Sequence, residues 1–201
     1  MELVRLDHKL GIRASDTATV RFTNCRVPKE NLLGSPEINV QRGFAGVMQT
    51  FDNTRPLVAA MAIGVARAAL DHTREALEGA GVTVDPDAPA HVQPAAAAEL
   101  LDMEADFEAA RLLTLQACWM ADNKKPNSLQ ASMAKAKAGR VGTDVCLRCV
   151  ALCGAAGIGE SELLEKWARD AKILDIFEGT QQIQLLIIAR QLLGLSSAEL
   201  K

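Results

Sequence analysis

The residue best placed to do chemistry in this chain is Glu178, a carboxylate inside an apolar stretch near the predicted start of a helix. Its neighbours are mostly aliphatic, and they are Ile173, Leu174, Ile176, Phe177, Ile183, Leu185, Leu186, Ile187 and Ile188. Apolar surroundings penalise the charged form of a carboxylate and raise its pKa. A carboxylate with a raised pKa can accept a proton near neutral pH, so the pattern predicts a general base.

A purely structural interpretation competes with this one. An acid near a helix N-terminus is stabilised by the helix dipole by roughly 0.3–1 kcal/mol. In that case Gly179 forms a turn and Thr180 is the N-cap residue. Because acids are common at helix starts, the local residues alone favour the structural interpretation.

Cysteine and histidine spacing does not predict a metal site. Cys146, Cys149 and Cys153 share one helix face, but a metal site needs further ligands and the three histidines are scattered along the chain. We interpret these cysteines as small core residues. The chain has five cysteines, an odd number, and no sign of secretion, which favours reduced thiols.

The elements that must position Glu178 are predicted to be mainly α-helical. Residues 17–22 alternate like a strand, and turn residues at 27–35 mark its exit loop. Apolar spacing and end signals predict helices at about 38–78, 95–121, 128–153, from 161, and 180–193, with Ser128 as an N-cap and Gly194 as a C-cap. Long helices with short connections form an antiparallel bundle. Residues 79–94 are rich in helix breakers and poor in core residues, so they are predicted to form a mobile loop.

Composition limits the class of protein further. The chain has 201 residues, a formal net charge of −3 and 3% aromatic residues. The charge gives no basic surface for nucleic acid. Since no segment reaches the roughly 20 apolar residues of a membrane span and the first residues lack a signal peptide, the sequence predicts a soluble, cytoplasmic protein.

Three blocks, in order, carry a family resemblance. Residues 168–190 closely resemble the C-terminal signature of acyl-CoA dehydrogenases, and residues 9–34 and 51–60 resemble two earlier blocks of the same family. The resemblance covers nearly the whole chain but only the second half of such an enzyme. It implies that residues 1–35 are the last strands of the middle β-domain and that residues 36–201 are the C-terminal helical bundle domain.

The resemblance implies an oxidoreductase that uses FAD. In the family, a carboxylate removes the α-proton of an acyl-CoA thioester while the flavin accepts the β-hydrogen as hydride, leaving a trans-2-enoyl-CoA. Glu178 matches the catalytic base, and Gly179 lets the backbone approach the thioester. Thr180 and Gln182 match positions that hydrogen-bond FAD. Asp52, Asn53, Thr54 and Arg55 match the segment that contacts the substrate.

Two family motifs are missing from this sequence. The segment Arg-x-x-Phe-Gly, which reaches a neighbouring subunit's FAD, is replaced at residues 79–83, and Gln-x-x-Gly-Gly is replaced at residues 151–155. Losing the arginine removes a strong charge-assisted contact to a diphosphate. One hypothesis is a heterotetramer in which a homologous subunit supplies that contact, as in enzymes of steroid side-chain degradation.

The resemblance leaves three functions open. The first is an acyl-CoA dehydrogenase of fatty acid or steroid side-chain degradation that passes electrons to an electron-transfer flavoprotein. The second is an acyl-CoA oxidase. The third is a non-catalytic subunit that stabilises a catalytic homologue, which the missing motifs favour and the presence of Glu178 opposes.

Overall fold

Five α-helices, two short 3-10 helices and one β-hairpin are the regular elements in the described part of the chain. The computed structural model describes residues 1–33, 40–196 and 199, with side chains in the first helix described from Gly46 onward. The elements are β1 (Glu2–Leu6), β2 (Ala18–Arg21), α1 (Val40–Gly79), α2 (Ala95–Asp122), α3 (Ser128–Gly157), α4 (Leu164–Leu174) and α5 (Gln181–Leu193). The prediction of a mainly α fold is confirmed.

The helix α3 lies at the centre of the bundle, where it packs against α1, α2, α4 and α5. Small residues make this close packing possible, because alanine and glycine let helix axes approach. The buried alanines of the core include Ala59, Ala66, Ala110, Ala134 and Ala138. The helices that position the site described below are therefore closely packed against one another.

The predicted cysteine core is confirmed. Cys146 and Cys149 are buried, and Cys153 packs partly buried against the core. Burial raises the pKa of Cys146 to about 12 and that of Cys149 to about 11. Because the thiolate is the reactive form, these two thiols are chemically inert at neutral pH.

The two strands form an antiparallel hairpin in which Leu3 pairs with Val20 and Leu6 with Ala18. The strand predicted at 17–22 is confirmed as β2, whereas β1 was not predicted. All residues of both strands are exposed. A two-stranded sheet is marginal by itself, and no further strand covers its edges in the described part of the chain.

The segment after β1 is anchored to α4. The backbone N–H of Ile12 donates to the Asp170 carboxylate at 2.6 Å. Gly11 lies so close to α4 that a Cβ on it would fall 2.2 Å from the Arg169 carbonyl oxygen. Only glycine permits this approach, and the contact joins the hairpin region to the helix that precedes Glu178.

Helix ends agree with the sequence except in three places. The N-cap residue of α3 is Asn127, not Ser128. The helix expected from residue 161 begins at Leu164. The third helix, expected to end near Cys153, continues to Gly157. Gly154, with φ 56° and ψ −128°, interrupts the helical geometry before that end. The predicted start of the first helix at about residue 38 and the predicted domain boundary after residue 35 lie outside the described residues.

The connection between α1 and α2 contacts the core and is crossed by hydrogen bonds of its own. Val82 and Val84 are partly buried and pack against the core. The Gln93 side chain accepts from the Asp85 N–H and donates to the Ala88 carbonyl. These bonds join the C-terminal end of the loop to its middle. Among the described helices, none is long and apolar enough to cross a bilayer.

Candidate active site

The turn between α4 and α5 carries Glu178 in an uncommon backbone conformation. Glu178 has φ 59° and the next residue, Gly179, has φ 97°. A non-glycine residue in the left-handed region costs of order 1–3 kcal/mol and is held there only by its surroundings. The turn is therefore fixed by specific contacts rather than by local preference.

The first of these contacts joins the turn to α1. Thr54 Oγ1 donates to Glu178 Oε2 at 2.6 Å, and the two residues are 124 positions apart in the chain. Both side chains are partly buried. The structure thus brings together the candidate base and one residue of the predicted substrate segment at 52–55.

The second contact comes from Gln184 in α5. Its Nε2 lies 3.3 Å from the Glu178 carbonyl oxygen and 3.2 Å from that of Gly179, and it donates to both. Gln184 is fully buried. A Cβ at position 179 would lie 2.4 Å from this nitrogen, so glycine is required by the close approach as well as by φ. Sequence reasoning missed Gln184, although a lone amide among aliphatic residues 183–188 was a signal for it.

Arg55 lies buried behind the turn. Its Nη1 donates to Asp52 Oδ1 at 2.7 Å and to Ser132 Oγ at 3.5 Å. Burial lowers the pKa of the Arg55 guanidinium, and the carboxylates of Asp52 and Glu178 act in the opposite direction. An arginine keeps its charge under such conditions. Arg55 is therefore a fixed positive charge between α1 and α3.

The four residues at 52–55 do not form one contact surface. Thr54 bonds to Glu178, Asp52 and Arg55 pair with each other, and Asn53 is exposed. Beside the ion pair, an open cavity of about 270 Å³ has Asp52, Arg55, Ser128 and Arg190 in its lining. This cavity joins polar groups of α1, α3 and α5.

Thr180 is the N-cap residue of α5, as the structural interpretation predicted. Its Oγ1 accepts from the Ile183 N–H at 3.4 Å. Thr180 and Gln182 are both exposed at this helix end. Between them, Gln181 is buried and turns inward, with its Nε2 placed to donate to Asp175 Oδ1 at 2.9 Å and to the Ala136 carbonyl at 3.0 Å.

The apolar residues around Glu178 do not enclose it within this chain. Ile176 is 45% exposed and Phe177 37% exposed, and Ile183, Leu185 and Leu186 are exposed as well. The expectation that these residues surround the carboxylate is wrong for the chain as it stands. These residues form an apolar surface that faces outward, while the Glu178 carboxylate accepts a hydrogen bond from Thr54 of α1.

A sequence model described as "Acyl-CoA dehydrogenase, C-terminal domain" matches residues 41–193, well over half of the chain. The chain belongs to the acyl-CoA dehydrogenase family. The match confirms the resemblance to the family. It also confirms that the helical bundle is of the type found in the C-terminal domain of acyl-CoA dehydrogenases.

Named relatives agree with this assignment. The chain is 39% identical over 193 residues to the mitochondrial short-chain specific acyl-CoA dehydrogenase of Mus musculus, covering 96% of this chain and 45% of that protein. The structure of butyryl-CoA dehydrogenase from Megasphaera elsdenii is similar with a TM-score of 0.83 and 34% identity, covering 94% of this chain and 48% of that one. A structure titled for the electron transferring flavoprotein of Acidaminococcus fermentans gives a TM-score of 0.84 at 33% identity, covering 96% and 49%. This chain thus spans slightly less than half the length of these relatives.

Proposed function

We propose that this chain supplies the catalytic base of an FAD-dependent acyl-CoA dehydrogenase, which converts an acyl-CoA thioester to a trans-2-enoyl-CoA. The observation that carries the proposal is the fixed position of Glu178. Its carboxylate is bonded to Thr54 from another helix, and its backbone is held in a left-handed turn by Gln184. A purely structural acid at a helix start needs neither feature.

Glu178 takes the α-proton of the thioester in this proposal. Thr54 donates to one carboxylate oxygen and so fixes the direction of the carboxylate, while the other oxygen is left to receive the proton. The backbone N–H of the base is the group we assign to the thioester oxygen, where negative charge develops as the proton leaves. Gly179 allows the substrate to come close to this part of the turn because it has no side chain.

The exposed end of α5 fits a role in holding FAD. Thr180 and Gln182 present polar side chains there, and the first N–H groups of a helix lack partners within the helix. A helix N-terminus of this kind favours an anionic group such as a diphosphate. When bound there, FAD would supply the acceptor for the β-hydrogen, and an electron-transfer flavoprotein would be the final acceptor of the electrons.

The remaining parts of the site are assigned on the same basis. We place the CoA portion of the substrate along residues 52–55, where Asn53 is exposed and polar side chains lie in the lining of the cavity beside Asp52 and Arg55. The exposed apolar residues next to Glu178 are covered by other parts of the enzyme, which keeps water out of the site.

In this proposal residues 1–35 belong to the middle domain of the enzyme. The assembly is an oligomer that acts in the cytoplasm.

The native assembly tests this function directly. We would purify it, determine its subunit masses and flavin content, and add butyryl-CoA without oxygen, because the named relatives include short-chain and butyryl enzymes. Loss of the visible flavin absorbance is the expected result. Rapid peroxide release in air would instead support an acyl-CoA oxidase. An assembly in which this chain contacts no flavin would support a structural subunit and overturn the proposal.

The same preparation tests the heteromeric hypothesis. The missing arginine and glutamine motifs at 79–83 and 151–155 favour a homologous partner that completes the flavin site. Two different subunits in equal amounts are expected. A stable homo-oligomer with full FAD occupancy would contradict this part of the proposal and leave the role of Glu178 unaffected.

Replacing Thr54 with valine should lower kcat/KM about tenfold. Valine keeps the branched shape but removes the hydroxyl that donates to Glu178, and a hydrogen bond to a charged group contributes about 1.5–3 kcal/mol. Thr143→Val is the matched control, because Thr143 donates to the Gly139 carbonyl of its own helix. Equal kinetics in the two variants would show that Thr54 does not orient the base.

A further inference from the structure

Helices α4 and α5 each pack against α3, but within the described residues they do not pack against each other. The residues between them, 175–180, include Glu178 and Gly179 in the left-handed region. A non-glycine residue in this region is held there only by its surroundings. The placement of the two helix ends relative to each other therefore decides where the candidate base lies.

One pair of side chains joins these two helix ends directly. Asp175 follows the last residue of α4, and Gln181 is the first residue of α5. Gln181 Nε2 is placed to donate to Asp175 Oδ1 at 2.9 Å. Gln181 is 8% exposed and the Asp175 side chain 13% exposed. This bond is shielded from water and joins the two ends of the turn, so we call the two residues the clamp pair.

Both members of the clamp pair lie against one face of α3. The same Gln181 nitrogen is placed to donate to the Ala136 carbonyl at 3.0 Å. Three residues later, a Cβ on Gly139 would lie 3.0 Å from the Asp175 Cα and 3.0 Å from the Leu174 carbonyl oxygen. Residues three apart share a helix face, so the clamp pair is held by the same side of α3 from which both helices extend.

Further hydrogen bonds connect the clamp pair to Glu178. The N–H groups of residues 176 and 177 donate to the Ile173 carbonyl, which ties the first half of the turn to α4. The second half, which includes Glu178, is tied to α5 by two bonds from Gln184. The first half is thus fixed to one helix and the second half to the other. The clamp pair is a direct link that sets one half relative to the other.

We propose that the clamp pair positions the catalytic base: the bond between Asp175 and Gln181 sets the distance between the ends of α4 and α5 and so places the Glu178 carboxylate for proton transfer. Neither residue touches the substrate, and both act through Glu178. The inference rests on the proposed function of Glu178 as the base, and it goes beyond that function by naming two positioning residues. The role belongs to the hydrogen bond and not to the charge of Asp175.

The charge of Asp175 has other partners, and one substitution separates them from the bond. Lys172 pairs with the other carboxylate oxygen at 3.1 Å. Lys135 is fully buried in α3, where burial lowers the pKa of its amine and the Asp175 carboxylate acts to raise it. Asp175→Asn removes the negative charge from both interactions. It keeps a carbonyl oxygen that can accept from Gln181.

The first test compares four variants of the native holoenzyme by anaerobic flavin reduction with butyryl-CoA. Gln181→Met and Asp175→Ala remove the bond. Each should lower the limiting rate about tenfold and leave the half-saturating butyryl-CoA concentration unchanged, because a small displacement of the base is costly while the substrate contacts remain. Asp175→Asn keeps the bond and should recover most of the rate. Lys172→Met is the matched control, since it removes only the ion pair and should react like wild type.

The variants also define what would overturn the proposal. Gln181→Met with a wild-type rate would do so. Asp175→Asn as slow as Asp175→Ala would show that the charge matters and not the bond. A change in the half-saturating concentration alone would place the effect on substrate binding. A Gln181→Met chain that no longer assembles with flavin would assign the clamp pair to folding rather than to positioning.

The second test displaces the clamp pair without changing either member. Gly139→Ala puts a methyl group 3.0 Å from the Asp175 Cα, so the neighbouring backbone must move. The limiting rate should fall about threefold, although alanine is the better helix former. Gly64→Ala on α1 is the matched control, because no described atom lies within 4 Å of a Cβ there. Equal rates in the two variants would contradict the positioning role.

Hydrogen exchange separates this inference from the proposed function, because it needs no turnover. In Gln181→Met the amides of residues 176–180 should exchange faster than in wild type, while those of α2 should be unchanged. Unchanged exchange in the turn would show that the clamp pair does not hold it. If Glu178→Gln keeps full turnover, the base assignment fails and the exchange result still stands. If Glu178→Gln abolishes turnover while Gln181→Met leaves the rate unchanged, the base assignment stands and the positioning role fails.

Discussion

Replacing Glu178 with glutamine in the native enzyme should reduce the rate of flavin reduction by acyl-CoA roughly a thousandfold. Glutamine has nearly the same shape, and its carbonyl oxygen can still accept the hydrogen bond from Thr54. It has no basic oxygen, however, and cannot remove the α-proton. The measurement is the anaerobic rate after mixing with butyryl-CoA, with flavin content determined on the same sample.

A surface glutamate provides the control for this substitution. Glu75 on α1 is exposed, so Glu75→Gln makes the same chemical change outside the site and should leave the rate unchanged. Glu178→Gln turnover within threefold of wild type would remove the base from our proposal. That outcome would favour the structural subunit, because the chain would then contribute contacts but no chemistry.

Replacing Gly179 with alanine should lower both turnover and stability. The residue has φ 97°, and a Cβ would lie 2.4 Å from Gln184 Nε2. The left-handed backbone costs about 1–2 kcal/mol, and displacing the buried amide weakens its two bonds at about 1 kcal/mol each. Together the free energy of unfolding should fall by about 2–4 kcal/mol. A shift of the base by 1 Å can cost about a hundredfold in rate.

The C-cap glycine of α5 separates the two effects of this substitution. Gly194 also has positive φ, at 67°, but no described atom lies within 4 Å of a Cβ placed there. Gly194→Ala should therefore cost only the backbone term and leave turnover unchanged. Urea unfolding and anaerobic flavin reduction of both variants measure the difference. Equal activity losses at the two positions would show that contact with Gln184 does not matter.

The family and the bundle could be predicted because they depend on local patterns. Helix α5 is the clearest case. Thr180 at its start and Gly194 at its end are recognised from their own chemistry, since a hydroxyl can cap free N–H groups and glycine accepts the left-handed cap. Both predictions are confirmed by the observed caps. The matching blocks around Glu178 led to the family in the same way.

The prediction was less complete where the local residues allowed more than one structure. Asn127 and Ser128 are both good capping residues, and no sequence rule chose between them. Tertiary contacts did, because the Asn127 amide donates to the Asp52 and Ala117 carbonyls of α1 and α2. The prediction of a mobile loop at 79–94 depended on its glycines and prolines. It did not include the two valines that pack, partly buried, against the core.

The sequence by itself determined the helices, most of their ends, the family and the candidate base, because each depends on residues close together in the chain. Only the tertiary structure decided what surrounds that base. The bond from Thr54 spans 124 positions, and the burial of Gln184 and Lys135 follows from helices packing on the far side of the turn. Hydrogen bonds and charge compensation depend on distance in space, and that distance exists only after the chain has folded.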